Sequence, residues 1–239
     1  MSEEKNLLNL RNLWCVTLNS KLSTLNCGLG RVEAMNNYAF EKWVPFLLEM
    51  EGGCTITPGL TPREIYEARG QKAFSDNPRD PGGATMMGIT LAVYSLWRAM
   101  NGHHVTTAAD LRAMTYAEWG SIVKTYFWDN FRCSQASLEC IAVCMADGIF
   151  HSGTAGVKDL QRVLGLAPDG IVGRKTVGAL QRARSRENGR ALCHQLLDAR
   201  IERLRRLPTY STFGRGWERR IDALRQYIYH LDLTMFDNE

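Results

Sequence analysis

The stretch from residue 40 to residue 53 constrains the fold most strongly. Its apolar residues recur at spacings of three and four, which predicts a helix that buries one face; they are Phe40, Trp43, Val44, Phe46, Leu47 and Met50. The pattern ends at Glu51, directly before Gly52-Gly53. A glycine just past the last apolar turn is a common helix stop, because it adopts positive φ without strain. The sequence therefore predicts an acidic side chain at the C-terminal end of an amphipathic helix.

This position predicts a perturbed ionisation for Glu51. A carboxylate there faces the negative end of the helix dipole, and apolar neighbours would also desolvate it, so both effects favour the protonated form. A carboxylic acid that keeps its proton near neutral pH is what a glycosidase needs to protonate the leaving oxygen of a glycosidic bond. Taken alone, however, a glutamate at a helix end is more often a solvated surface group.

A glycine-rich motif follows at Asp80-Pro-Gly-Gly-Ala-Thr85-Met-Met-Gly-Ile-Thr90. Asp-Pro-Gly-Gly is first of all a turn sequence, and Thr90 is a candidate N-cap for an amphipathic helix over Leu91–Met100. Together with Glu51, in this order, the motif resembles the catalytic segment of glycoside hydrolase family 108. The members of that family are phage- and bacterial-type N-acetylmuramidases that cut peptidoglycan.

The resemblance implies hydrolysis of the β-1,4 bond between N-acetylmuramic acid and N-acetylglucosamine, with no metal and no organic cofactor. Glu51 would donate the proton, and Asp80 would orient the attacking water or stabilise positive charge on the sugar. Thr85 would hold the water, a role that Thr90 could share or take. A lytic transglycosylase acting on the same bond, and a non-catalytic wall-binding or structural protein, are the alternatives.

Two further segments supply candidate substrate contacts. Tyr126-Phe-Trp128-Asp resembles an aromatic segment of the family; such rings are core by default, and one of them could stack on a sugar face. His151-Ser-Gly stands where the family has Asn-Ser-Gly, and His151 would titrate near pH 6–7 if it lined the cleft. The predicted substrate-binding residues are therefore Thr90, Tyr126, Trp128 and His151. Asp147 is predicted to be a buried, structural hydrogen-bonding group.

The path from Gly53 to Asp80 is longer than the family pattern, which predicts an insertion over residues 54–75. Within it, Thr61-Pro-Arg-Glu64 combines an N-cap, a proline at the first helical position and an acidic residue at the third. We predict a short inserted helix over the cleft. It would form either a lid or added wall for the substrate, or a neutral surface decoration.

The C-terminal third predicts a helical region that binds the cell wall. Leu160-Gln161, the Asp169-Gly170 turn and Thr176 resemble the small peptidoglycan-binding module that accompanies family 108 enzymes; a generic helical hairpin is the alternative. A long helix is predicted over Gly189–Arg206 and a final one over Trp217–Tyr229. Four arginines are expected to decorate the solvated face of the long helix: Arg200, Arg203, Arg205 and Arg206.

The predicted fold class is therefore mainly α. It is a lysozyme-like helical fold with a small β-hairpin-like segment near the site and an integrated helical wall-binding part. Residues 1–36 are predicted to be an N-terminal extension of unknown role, residues 37–153 the catalytic region and residues 154–239 the peptidoglycan-binding region.

Charge indicates an anionic partner. The net charge is +4, but residues 151–239 contain 16 Lys and Arg against 10 Asp and Glu, a local excess of +6. Bacterial wall polymers are anionic, so a basic face would concentrate the protein at peptidoglycan. Nucleic acid fits the charge equally well, but no motif that reads bases accompanies it, and we predict no nucleic-acid partner.

Cysteine content and hydropathy indicate whether the chain binds a metal and whether it inserts into a membrane. Seven cysteines without paired metal spacing predict no metal site, and Cys140 and Cys144 read as buried free thiols. We find no apolar run of roughly 20 residues and no clean signal peptide. We therefore expect no integral membrane association, cytoplasmic synthesis followed by action on the periplasmic or extracellular wall, and a monomer.

Overall fold

The computed structural model describes residues 32–53, 59–76, 83–103 and 105–233. They are mainly α-helical, as predicted, with one small antiparallel sheet. The predicted extension lies outside these ranges, except that residues 32–36 are helical. Within the ranges, no helix has both the length and the apolar character needed to traverse a bilayer.

The described residues form two compact units. The first spans Val44–Tyr126, and the second combines residues 32–43 with residues 127–233. The helices are α1 (Val32–Gly52), α2 (Pro62–Arg69), α3 (Leu91–Met100), α4 (Ala108–Arg112), α5 (Tyr116–Val123), α6 (Glu139–Ser152), α7 (Thr154–Val163), α8 (Arg174–Leu180), α9 (Arg186–Arg205) and α10 (Tyr210–Leu233). The strands are β1 (Phe74–Ser75), β2 (Thr85–Met86) and β3 (Ile89–Thr90), paired antiparallel in the order β1-β2-β3. The predicted domain boundary between residues 153 and 154 stays a prediction.

Helix starts in the first unit follow local capping chemistry. Thr61 begins α2 with a capping box, in which its backbone N–H donates to Oε2 of Glu64 at 2.7 Å while its hydroxyl accepts from the Glu64 N–H. Thr115 and Glu118 form the same box at α5. The predicted helix start at Thr61 is therefore confirmed. Each such cap satisfies N–H groups that the first helical turn leaves without partners.

Helix α2, which lies in the predicted insertion, is packed onto its own unit. Its Ile65 and Tyr66 are buried, and the Tyr66 hydroxyl donates to the Met114 carbonyl at 2.7 Å. The Tyr66 ring also lies 5.7 Å from the Trp119 ring. These contacts tie α2 to α5 and to the residues that precede it. The proposed lid or wall role of the insertion stays a prediction.

The second unit is built around α6, which is buried along nearly its whole length. Helices α7, α9 and α10 pack against it, and α9 also packs against α10. An aromatic cluster fills the same unit: Trp43 stacks on Trp128 with ring centroids 5.9 Å apart, and Phe150 meets Trp43 edge-on at 5.8 Å. Burial of such large rings supplies much of the driving force for folding.

The last two helices begin earlier than predicted. α9 begins at Arg186 rather than Gly189, because the Ser185 hydroxyl caps it by accepting from the Asn188 N–H at 3.2 Å. α10 begins at Tyr210 rather than Trp217. Gly214 lies inside that helix, and a Cβ atom on it would lie 2.6 Å from the Tyr210 ring. The glycine thus serves close packing of the ring instead of ending the helix.

Candidate active site

Glu51 lies at the end of α1, as predicted. It is half-buried, and the chain leaves the helix through Gly53, whose φ is +58°. A Cβ atom on Gly53 would lie 3.5 Å from Nη2 of Arg69, in the last turn of α2. Helix α2 therefore brings a guanidinium group close to the end of α1. This cation was not anticipated, because nothing in the local sequence around Arg69 indicates which segment it meets.

The β2–β3 hairpin, which belongs to the glycine-rich motif, also lies close to Glu51. Its two-residue turn consists of Met87 and Gly88, with φ values of 46° and 78°, the conformation of a tight primed hairpin turn. A Cβ atom on Gly88 would lie 2.6 Å from Oε2 of Glu51 and 2.9 Å from its Cδ. Only a glycine leaves room for the carboxyl group at this distance. The indole N–H of Trp119 donates to the Met87 carbonyl at 3.0 Å and holds the turn in place.

Two candidate hydroxyl groups lie on the same hairpin. Thr85 and Thr90 are directly paired across β2 and β3, so their side chains share one face, and both are buried. The Thr85 hydroxyl donates to the Gly83 carbonyl at 3.2 Å. The Thr90 hydroxyl accepts from the Val93 N–H at 3.3 Å and caps α3. The capping role considered for Thr90 is confirmed, while the water-holding roles of Thr85 and Thr90 stay predictions.

Asp80, the second predicted catalytic residue, lies outside the described residues, so its role stays a prediction.

Within the described residues, another carboxyl group lies close to Glu51 along the chain. Glu49 is also half-buried, and burial raises its pKa. Two residues apart on a helix correspond to about 200° of rotation, so the two side chains leave α1 in nearly opposite directions.

The predicted aromatic contacts have little open surface. Tyr126 and Trp128 lie in a π-helical turn, Lys124–Asp129, that continues α5. The Tyr126 side chain is buried and its hydroxyl contacts Sδ of Met100 at 3.3 Å. Trp128 is completely buried and stacked on Trp43. The default interpretation of these rings as core accounts for their surroundings, and their sugar-binding role stays a prediction without support from this geometry.

His151 lies near the end of α6 and is buried. Its Nδ1 lies 3.2 Å from the Ser152 hydroxyl. That hydroxyl also accepts from Nη2 of Arg203 at 2.9 Å, and Nε of Arg203 contacts Oδ2 of Asp159 at 2.5 Å. His151 thus joins a polar network inside the second unit. Its predicted contact with substrate stays a prediction.

Asp147 is the centre of a buried charge cluster in the second unit. Its side chain is completely buried; Oδ2 accepts from Nη1 of Arg200 at 2.7 Å and Oδ1 accepts from Nη2 of Arg220 at 2.6 Å. Burial alone would raise the pKa of Asp147, but the charges of Arg220 and Arg200 outweigh it and lower the pKa to about 2. The predicted structural role of Asp147 is confirmed. The expectation that Arg200 lies on a solvated face was wrong, because this helix position points at Asp147 and is buried.

Cys140 and Cys144 are buried thiols, as predicted. Four cysteines in the described ranges are buried and form no disulfide bond: Cys133, Cys140, Cys144 and Cys193. Hydrogen bonding to Cys140 and Cys144, together with burial, raises the pKa of the Cys193 thiol. Among the described residues, no group of three or more His, Cys, Asp or Glu side chains is arranged to hold a metal ion.

Comparisons with known proteins agree with this geometry. The profile of the family described as Glycosyl hydrolase 108 matches residues 63–153, and that of a "Predicted Peptidoglycan domain" matches residues 155–222. Among solved structures, the chain is similar to SagA of Brucella abortus, with 30% sequence identity and a TM-score of 0.60 over 81% of this chain and 95% of that chain. The search of curated proteins found no match. The residues that match the hydrolase family begin after Glu51. The choice of Glu51 as the candidate acid therefore rests on its close approach to the hairpin.

Proposed function

Because the chain belongs to the glycosyl hydrolase 108 family, we propose that it cleaves the β-1,4 bond between N-acetylmuramic acid and N-acetylglucosamine. The family and the adjoining peptidoglycan domain make the chain a glycoside hydrolase that acts on peptidoglycan. The choice of bond is our proposal, as is a role in bacterial lysis or wall remodelling at the periplasmic or extracellular wall.

The observation that carries the proposal is the contact between Glu51 and the hairpin turn at Gly88. It places a half-buried carboxyl group of a helix end beside the motif that carries the candidate hydroxyl groups. The placement of Glu51 at the C-terminal end of α1, the negative end of the helix dipole, is the basis on which we propose that its carboxyl group carries the proton for the reaction. In the proposed reaction Glu51 gives this proton to the leaving glycosidic oxygen, which lowers the cost of breaking the bond.

The remaining proposed roles belong to the motif that ends in the hairpin. Asp80 would stabilise the positive charge that develops on the sugar or orient the attacking water. Thr85 would hold that water through its hydroxyl group, with Thr90 opposite it on the neighbouring strand. A hydroxyl group can both donate and accept, which suits the positioning of a water molecule.

The test is the substitution Glu51→Gln, assayed by release of reducing ends from purified sacculi. It preserves the shape of the side chain and removes the acid, so we expect hydrolysis to fall by about 100-fold or more, the usual contribution of a general acid. Glu49→Gln is the matched control, because it makes the same change two residues earlier on the same helix and should leave hydrolysis within about twofold of wild type. Undiminished hydrolysis by Glu51→Gln would place the acid elsewhere.

The products separate the proposal from its alternatives. A hydrolase adds water across the bond and leaves reducing N-acetylmuramic acid ends. A lytic transglycosylase instead uses the sugar's own hydroxyl group and leaves 1,6-anhydro ends, which mass spectrometry distinguishes by the loss of one water. Binding to sacculi without release of either product would indicate a non-catalytic wall protein.

A further inference from the structure

Helices α9 and α10 enclose a pocket in the second unit that has no role in the proposed reaction. Its volume is about 240 Å³, and its wall includes Arg190, His194 and Leu197 from α9 and Arg225, Ile228 and Tyr229 from α10. We call it the α9–α10 pocket. Binding pockets for drug-sized ligands usually measure about 300–1,000 Å³, so this one suits a group of only one or two residues.

One side of the α9–α10 pocket is positively charged and held in a defined geometry. The Arg190 guanidinium lies 4.9 Å from the centre of the Tyr229 ring, a cation–π arrangement. Arg225 donates to Nδ1 of His194, and its Nη2 contacts Oδ1 of Asp198 at 2.8 Å. Guanidinium groups that are already oriented lose little conformational entropy when they bind an anion.

The other side of the pocket is apolar. Leu197 and Ile228 are buried core residues of α9 and α10, and the buried Cys193 also faces the cavity. A ligand that fits both sides carries a small apolar group next to an anion. A sugar fits poorly, because the Arg190 guanidinium already lies over the Tyr229 ring on which a pyranose would stack.

We propose that the α9–α10 pocket binds the carboxylate end of a peptidoglycan stem peptide, with an alanyl methyl group on Leu197 and Ile228 and the carboxylate on Arg190. This inference extends the proposed function, because it takes peptidoglycan as the substrate. The α9 residues of the pocket fall within the matched peptidoglycan domain, residues 155–222, whereas Arg225, Ile228 and Tyr229 lie beyond it. The pocket would hold the enzyme on peptide-bearing strands while the first unit cleaves the glycan.

The test measures binding of N-acetyl-D-alanyl-D-alanine to the full chain carrying Glu51→Gln, by calorimetry or NMR titration. Substitution Arg190→Gln should weaken binding about tenfold, because it removes a charge-assisted hydrogen bond. The C-terminal amide of the same peptide should bind the unsubstituted pocket about tenfold more weakly than the acid. Thermal unfolding of Arg190→Gln checks that the variant is folded.

Arg206→Gln is the matched control, since it removes one positive charge from an arginine that is 81% exposed and lies just past the end of α9. It should change the affinity less than twofold. Equal losses in the two variants, equal binding of acid and amide, or no binding by the parent chain would each overturn the proposal. Inorganic phosphate that competes better than the peptide would also overturn it and would indicate phosphate-bearing wall polymers instead.

Hydrolysis of peptide-free glycan strands by the wild-type chain tests the proposed function without involving the α9–α10 pocket. The Arg206→Gln variant without the Glu51 substitution should cleave these strands at the wild-type rate. Absence of cleavage by both proteins would contradict the proposed function, while the peptide titration would still test the pocket.

Discussion

The substitution Asp147→Asn tests whether buried charge pairing holds the second unit together. It keeps the size of the side chain but removes the negative charge that Arg200 and Arg220 share. Both arginine residues are buried, with only 3% and 8% of their surface exposed. Removing one partner of a buried ion pair typically costs about 3–5 kcal/mol of stability. Because this substitution leaves two buried guanidinium groups without their counter-ion, we expect a loss near the upper end of that range.

The free energy of unfolding should therefore fall by about 4–5 kcal/mol. Each kcal/mol shifts the melting temperature of a chain of this size by about 2–4 °C, so we expect a decrease of about 8–20 °C. Urea and thermal unfolding followed by far-UV circular dichroism measure both quantities. Asp198→Asn, which breaks a pair whose carboxylate is 62% exposed, is the matched control and should cost less than about 1 kcal/mol.

Two further measurements sharpen this prediction. The folded pKa of Asp147 is lowered, so its contribution to stability is present above the unfolded value near 4 and is lost as the pH falls through about 2. The difference between wild type and Asp147→Asn should shrink over that interval. Replacing the three charged residues together by Leu, Met and Met should recover much of the stability. A loss below about 1 kcal/mol in Asp147→Asn at pH 7 would refute the reasoning.

Two other predictions concern the hairpin turn and the thiols. Gly88→Ala places a methyl group 2.6 Å from Oε2 of Glu51, so hydrolysis of sacculi should fall about 100-fold through displacement of the acid; Gly102→Ala, at a similar φ of +84°, controls for backbone strain and should retain activity. The raised pKa values of Cys133 and Cys193 disfavour their thiolates, so both should resist alkylation at pH 8 until the chain unfolds. Peptide mass spectrometry measures this, and rapid labelling of either residue in the folded protein would contradict the reported burial.

The features that could be predicted from the sequence are those set by neighbours along the chain. The capping boxes at Thr61 and Thr115 depend on residues three positions apart, and the stop after Glu51 depends on the adjacent glycines. These motifs carry their own hydrogen-bond partners, so their structure is readable without knowledge of the fold.

The features that were not predicted from the sequence depend on contacts between distant segments. Arg200 lies on the same helix as the exposed Arg205, and it is buried because it pairs with Asp147 on α6. The position of Arg69 near Gly53, and that of Gly88 against Glu51, likewise follow from packing of separate segments. Sequence periodicity does not predict such contacts, because it identifies the buried face of an element but not the element that packs against that face.

The capped helix α2 has a consequence for how this chain tolerates change. Since α2 begins with its own capping box and is anchored through Ile65 and Tyr66, the segment between α1 and the hairpin is fixed to the first unit at a point along its length. The entropy of closing a loop grows only with the logarithm of its length, so lengthening the connections on either side of α2 has a small thermodynamic effect. Added residues in these connections should therefore leave the close approach of Gly88 to Glu51, and with it the position of the acid group, in place.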